Sequence, residues 1–373
     1  MNKSYGIDTN IKTERGNYLI ETYADSNQFM VISEIFFEGK IIEMKEVPYE
    51  STISEDGLIK LIQKLQNSII SDFERLFNLD KEIKDRASAE NLFKIGRLYF
   101  KRKLLGRAQE SFRKCISIAP EFADGYKGLG QILMLLEKYS ESEMNFRKAL
   151  QLETKRADYH FHLGRLLFTV KRDKEAEKCF TKALELNSDY AEAYFYQGAA
   201  MLRQLIESSG SRLDDKMLIP IKVALKNASI LDQRFREKGF NEAFDLLEEK
   251  LYIESLDKFI DFSQRFMEIE AHDVIDEFNL FAKYSKKKIS LLTVDEYINN
   301  IRAMIEEHPE YADLHNALGK AYILKIRALL NASTLQFQKA LEINPDYIEA
   351  KKNIELVENE GKGFLLLLRA ILK

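Results

Sequence analysis

The stretch best placed to do chemistry is Gly-Tyr-Lys-Gly-Leu-Gly at residues 125–130, because closely spaced glycines let a backbone wrap around a phosphate. Gly125 and Gly130 have the G-x-x-x-x-G spacing of a P-loop. That loop also needs Lys and then Ser or Thr directly after the second glycine, the amine for the phosphates and the hydroxyl for magnesium. Gln131 and Ile132 stand there instead. The dinucleotide fingerprint requires G-x-G-x-x-G after a strand, whereas the order here is G-x-x-G-x-G after Pro-Glu-Phe-Ala-Asp. The glycines need another explanation.

The other reactive side chains are scattered. His160 and His162 are two apart, which on a helix turns them to different faces, and the remaining histidines stand alone. Neither an H-E-x-x-H pattern nor a Cys/His cluster is present. Cys115 and Cys179 form no C-x-x-C pair and are too few for a disulfide framework. Charged runs such as Glu248-Glu249-Lys250 read as solvated helix faces. No catalytic, metal-binding or cofactor-binding set emerges, so a non-enzymatic chain without a cofactor is expected. A net charge of −4 gives no electrostatic footprint for nucleic acid. The first residues, MNKSYGIDTNIKTERG, lack the apolar core of a signal peptide, and the longest apolar run, residues 364–368, is far short of a membrane span. A cytoplasmic setting follows as an expectation.

The elements that carry these residues repeat. Gly96, Gly130, Gly164 and Gly198 are spaced 34 residues apart. Twelve residues past the first three come Ala108, Ser142 and Ala176, all small. Phe112, Phe146 and Phe180 follow four residues later, and Cys115, Ala149 and Ala183 three after those. Each unit also carries a bulky residue four before its glycine (Leu92, Tyr126, His160) and a Leu or Ile directly before it. Small residues at two fixed points and apolar stripes between them are the pattern of two helices crossing closely and burying a shared seam.

This pattern resembles the tetratricopeptide repeat (TPR), a 34-residue helix–turn–helix unit with Leu-Gly at positions 7–8, Ala at 20, Phe at 24 and Ala at 27. The resemblance implies a mainly α chain with a right-handed α-α superhelix, or solenoid, and the residues before it read as a small N-terminal α+β module that carries no family resemblance. Four repeats are expected over 85–235 (89–122, 123–156, 157–190 and 191–235, the last with an insertion at 207–216). Degenerate TPR-like units follow over 236–311, in which Thr293 and Glu296 read as a capping box. A further repeat with a capping helix occupies 312–359 and is recognised by Leu318-Gly319, Tyr322, Phe337, Ala340 and Pro345. An apolar tail spans 360–373. Residues 17–49 alternate like a three-stranded antiparallel meander, and 56–79 have the spacing of an amphipathic helix that would cover it, giving a module over 1–84.

In this family the first helix of each repeat lines a concave groove. At those positions the chain offers Phe93, Arg97 and Phe100, then Lys127 and Gln131, then Phe161, His162, Arg165 and Phe168, and finally Phe195, Tyr196 and Arg203. Aromatic and basic groups suit an extended or helical peptide with apolar anchors and some negative charge. Gly128 adds a bare spot on the same helix face. The Lys/Asn pattern that grips acidic chaperone tails is absent, since Phe93, Arg97, Gly128, Asp158 and His162 occupy its positions. The expected function is a non-enzymatic scaffold or adaptor that binds a protein partner through repeats one to four. The alternative is a regulatory or targeting subunit of a cell-envelope assembly, held at the membrane surface by the 360–373 tail. A tail this short and weakly basic argues against membrane association.

Overall fold

The computed structural model describes residues 3–13, 16–84, 88–209, 215–263, 280, 291–307, 309 and 311–371. They belong to two compact units, one drawn from residues 1–87 and 271–373, the other from 88–270.

The first unit opens with an antiparallel sheet in the order β1 (Lys3–Thr13), β2 (Gly16–Asp25), β3 (Met30–Phe37), β4 (Lys40–Pro48). It has four strands where alternation pointed to three. The extra strand, KSYGIDTNIKT, is mostly polar and exposed at the sheet edge, so it lacks the apolar alternation that marks its neighbours. Both expected turns are present. Glu38 and Gly39 take φ values of 51° and 76° in a two-residue hairpin, and the Asp25 carboxylate accepts from the Asn27 amide at 2.9 Å. Helix α1 (Glu55–Lys84) lies on the sheet and buries Ile62, Ile69, Phe73 and Leu76 against Tyr18, Ile20, Ala24, Val31 and Ile35. Gln66 reaches into this seam, donating to the Ile20 carbonyl at 3.1 Å and accepting from Thr22.

The same unit contains α12 (Leu291–Glu307), α13 (Ala312–Ile343) and α14 (Ile348–Ile371). Thr293 lies inside α12, so it does not cap that helix. Arg75 on α1 sits 5.3 Å from the Tyr297 ring and 3.4 Å from Glu296. The chief departure from expectation is α13, one continuous helix where a helix–turn–helix repeat was expected. The stretch between the two halves reads Ile326-Arg327-Ala328, built from helix formers and a β-branched residue that resists the left-handed backbone a turn needs. Among the described residues no helix is long and apolar enough to cross a membrane. Helix α14 runs through residues 360–371, but the side chains of the 360–373 tail lie outside the described residues.

In the second unit the 34-residue period becomes helical hairpins: α2 (Ala89–Lys101) with α3 (Leu105–Ile118), α4 (Ala123–Leu135) with α5 (Tyr139–Leu152), and α6 (Ala157–Thr169) with α7 (Asp173–Leu186). Each hairpin turns through one left-handed residue, Lys103, Glu137 or Lys171, always position 15 of its repeat. Repeat four pairs α8 (Ala191–Ser209) with α9 (Asp215–Leu231), and six extra residues on α8 take up much of the insertion. A short 3-10 helix, Gln233–Arg236, leads to α10 (Lys238–Glu248) and α11 (Tyr252–Ser263). This last hairpin keeps the period: Lys250 is left-handed at position 15, and the Ser255 hydroxyl donates to the Ala243 carbonyl at 2.7 Å. Ser142 makes the same bond to Gly130 in repeat two. The other degenerate unit, 278–311, has residues 278–279 and 281–290 outside the described residues.

Candidate functional site

All three glycines of residues 125–130 are packing glycines on α4. A Cβ placed at Gly130 would lie 2.7 Å from Phe146 Cε1, and one at Gly128 would lie 2.7 Å from Phe112 Cζ. At Gly125 the nearest atoms would be Cys115 Sγ and Ile116 Cγ1, both at 3.1 Å. Real carbon contacts run at about 3.5–4.0 Å, so each glycine marks where another helix's side chain takes the space of a Cβ. Gly128 therefore leaves no bare spot for a partner; the edge of Phe112 fills it. Gly96 and Gly164 repeat the arrangement with Phe112 and Phe180, each at 2.7 Å. At Gly198 the neighbour is Leu225 Cγ, at 2.9 Å. Ala108, Ser142 and Ala176, the second small position, are fully buried.

Helices α2, α4, α6 and α8 stand side by side as one layer, with α3, α5 and α7 behind them. The sequence-derived groove residues divide into two groups on this layer. Arg97, Phe100, Lys127, Gln131 and Arg165 are half-buried and keep part of their surface open. Phe93, Phe161, His162, Phe168, Phe195 and Tyr196 are buried. The aromatics hold the layer together: Phe93 packs tilted or edge-on against Phe112 and Phe122, and Phe161 likewise against Tyr190 and Tyr196. Two of the rings lie beneath cations of their own helix, with Arg97 5.9 Å from the Phe93 ring centroid and Arg165 5.9 Å from that of Phe161.

Repeat four is closed by the chain itself. Helix α11, the second helix of its hairpin, packs along α8 in the place a first helix would take. Phe195 is thereby enclosed by Phe235, Phe240, Phe259 and Phe262 at ring distances of 5.2–6.3 Å. Arg203 is also buried, with its Nε 2.8 Å from Asp173 Oδ2 at the start of α7 and its guanidinium 3.9 Å from the Phe168 ring. It ties α8 to α7, and a partner cannot reach it.

A polar network on repeats two and three escaped the sequence reading. Lys127 Nζ lies 3.2 Å from Asp158 and 3.6 Å from Asp124. Arg156 holds Asp158 at 2.9 Å and Asp124 at 3.5 Å, and the Tyr159 hydroxyl donates to Asp124 at 3.0 Å. Burial alone would raise the Asp158 pKa, but the hydrogen bond from Arg156 and the Lys127 charge outweigh it and hold the carboxyl below its usual range. Asp124 and Asp158 are 34 residues apart, both at position 2, and that recurrence was the available signal. The Gln131 amide meets His162 Nε2 at 3.2 Å; with the amide donating, the neutral ring carries its proton on Nδ1. Burial, then the charges of Arg165 and Lys127, push the His162 pKa well below the ordinary imidazole range. Nδ1 itself has no hydrogen-bond partner among the described residues. No group of three or more potential metal ligands occurs among them either.

Comparison with known proteins gives two matches to tetratricopeptide-repeat family models, at residues 89–122 and 157–190. No curated protein matches the chain. Among solved structures, YrrB, described as a TPR protein with an unusual peptide-binding site, is 23% identical, with 50% of this chain covering 92% of that one at a TM-score of 0.36. The pilF protein of Pseudomonas aeruginosa is 16% identical, with 64% of this chain covering 97% of that one at a TM-score of 0.38. The first TPR of Spaghetti (RPAP3), bound to an HSP90 peptide, is 21% identical, with 32% of this chain covering 94% of that one at a TM-score of 0.31. The family matches fall on two hairpins that share a glycine–phenylalanine crossing and a left-handed turn residue, so residues 89–122 and 157–190 are tetratricopeptide repeats.

Proposed function

We propose that the chain is a non-enzymatic scaffold that binds a protein partner across the open face of α2, α4 and α6. The observation that carries this reading is the recurrence on α2 and α6 of an arginine set one turn after a buried phenylalanine: Phe93 with Arg97, and Phe161 with Arg165. The rings are spent on internal packing, so the groups offered to a partner are the guanidinium heads, Lys127, Gln131 and the part-open Phe100. Arg165 forms no ion pair among the described residues, and its half-buried position desolvates it enough to reward a carboxylate. Lys127 is already neutralised by Asp124 and Asp158, so Arg165 is the principal charged group for recognition, with Arg97 at the matching position of repeat one. The partner segment is a peptide or helix with acidic groups spaced to meet them. Repeat four lies outside the surface, because α11 covers Phe195 and Tyr196.

Affinity capture combined with cross-linking tests this. Cross-links to α2, α4 and α6 are expected from the wild type and are lost in Arg97→Ala/Arg165→Ala, with circular dichroism unchanged. The same partner captured and cross-linked equally by the double variant overturns the assignment.

A further inference from the structure

The second helices of repeats two and three are laced with charge: Glu143 pairs with Arg147 and Arg172, and Arg172 with Glu175. Helix α9, the second helix of repeat four, departs from this. Leu225 meets Gly198 where the other hairpins set a phenylalanine, which fixes the register between repeats. Two residues before that position stand Glu110, Met144 and Lys178 in repeats one to three, but Val223 in repeat four. Five residues after it stand Ser117, Gln151 and Glu185, but here Ile230; six before it stand Gly106, Ser140 and Lys174, but here Ile219. Ile219, Val223 and Ile230 are 58%, 51% and 68% exposed. At about 3.6 residues per turn they fall within about 40° of one another and make a ridge about 16 Å long. The opposite side of α9 is spent on the core, which takes Leu218, Ile221, Leu225 and Ala228. The helix is apolar on both sides, and one of them faces outward.

The charges around the ridge decide what fits it. From Lys216 to Leu231 the helix holds no Asp or Glu. Lys226 is exposed on the ridge between Val223 and Ile230; it lies 5.7 Å from the Phe244 ring and forms no ion pair among the described residues. Lys216 is exposed at one end. At the other, Arg236 donates to the carbonyls of Ser229 and Ile230 at 2.6 and 3.0 Å, which sets its guanidinium beside the last ridge residue. Two copies of α9 laid antiparallel on each other would bring Lys226 against Lys226, with no carboxylate of the helix between them. Protein hot spots draw on Trp, Tyr and Arg, and the ridge is aliphatic with one lysine. Aliphatic side chains flanked by cations match the boundary of an anionic bilayer, where the chains enter the acyl edge and the cations stay at the headgroups. We infer that α9 docks the chain on an anionic lipid surface with Ile219, Val223 and Ile230 inserted. The contact is made by a helix inside the array rather than by the 360–373 tail. As a second helix, α9 is not part of the α2, α4 and α6 face assigned to the protein partner.

The test is sedimentation of the full-length chain with phosphatidylcholine vesicles, with and without phosphatidylserine. Pelleting is expected only with the phosphatidylserine vesicles and should weaken as salt is added. Val223→Ser/Ile230→Ser and Lys226→Glu, all at exposed positions, should each lower the affinity at least about tenfold with circular dichroism unchanged. Lys178→Glu, at the matching position of repeat three, should leave it unchanged. An environment-sensitive dye on Val223→Cys should shift to the blue when these vesicles are added, and the same dye on Lys178→Cys should not. Failure to pellet overturns the inference, as does pelleting that survives Val223→Ser/Ile230→Ser while the dye at 223 stays unshifted. A ridge inert to lipid that cross-links from position 223 to an acidic protein helix overturns it equally.

Discussion

Substituting Gly128 with Ala separates helix propensity from packing by the sign of a single measurement. In a helix interior, propensity alone makes the alanine better by about 1 kcal/mol. The structure reverses that expectation. The new Cβ would stand 2.7, 2.8 and 3.0 Å from Cζ, Cε1 and Cδ1 of Phe112, three atoms along one ring edge. Restoring ordinary contact at about 3.5 Å requires the ring to retreat by about 0.8 Å. Its path is blocked, because the same edge lies against Gly96 on α2 and the ring packs 5.7 Å from Phe93. Overpacking of this kind costs about 1–3 kcal/mol, so Gly128→Ala is expected to lose about 1 kcal/mol net of the propensity gain. Urea unfolding followed by circular dichroism, on the two single variants and the double variant with Phe112→Leu, isolates the contact. Phe112→Leu alone should cost about 1–2 kcal/mol by loss of buried volume. It should also make room for the alanine, so the double variant is more stable than the sum predicts by at least about 1 kcal/mol. A Gly128→Ala protein stabilised by about 1 kcal/mol, or additivity within about 0.5 kcal/mol, refutes the wedge.

Three further outcomes are expected. His162 resists protonation when folded but takes a proton near its ordinary value when unfolded, so the unfolded state binds more protons below that value. Stability should therefore fall as pH drops from 7 to 5, by up to about 1.4 kcal/mol per pH unit, and His162→Gln should flatten that part of the unfolding profile. Arg203→Met strands the buried Asp173 carboxylate and should cost about 3–5 kcal/mol, whereas Lys222→Ala, which removes an exposed pair with Glu248, should cost under about 1 kcal/mol; equal effects in chemical denaturation would contradict the placement of Arg203. Burial pushes the thiols of Cys115 and Cys179 up to about 12 and about 11, so neither should react with a thiol reagent at pH 8 in the folded protein, and both should react once it is unfolded in urea.

What was legible in the residues and what was not follows the reach of each interaction. The sequence by itself determined the hairpins of repeats one to three, because a small residue, a phenylalanine sixteen positions on and a fixed turn are local constraints that recur at 34 residues. It also determined that Gly130 is a crossing glycine and that no nucleotide loop surrounds it. The first strand was missed because an exposed edge strand needs no apolar alternation. The groove was legible as a set of positions but not as a surface: a phenylalanine at position 5 reads the same whether it faces a partner or Phe112. Burial of Phe93, Phe161 and Phe195, the neutralising of Lys127 by Asp124 and Asp158, and the burial of Arg203 all depend on contacts between repeats, which spacing within one repeat does not encode. The tertiary structure alone decided that α11 closes repeat four and that Gly128 holds the edge of Phe112. The same is true of residues 312–347, where a repeat motif persists in the letters while the turn that would close it is gone. Two inserted residues leave the motif positions recognisable, yet one helix runs unbroken through the stretch where the turn would lie.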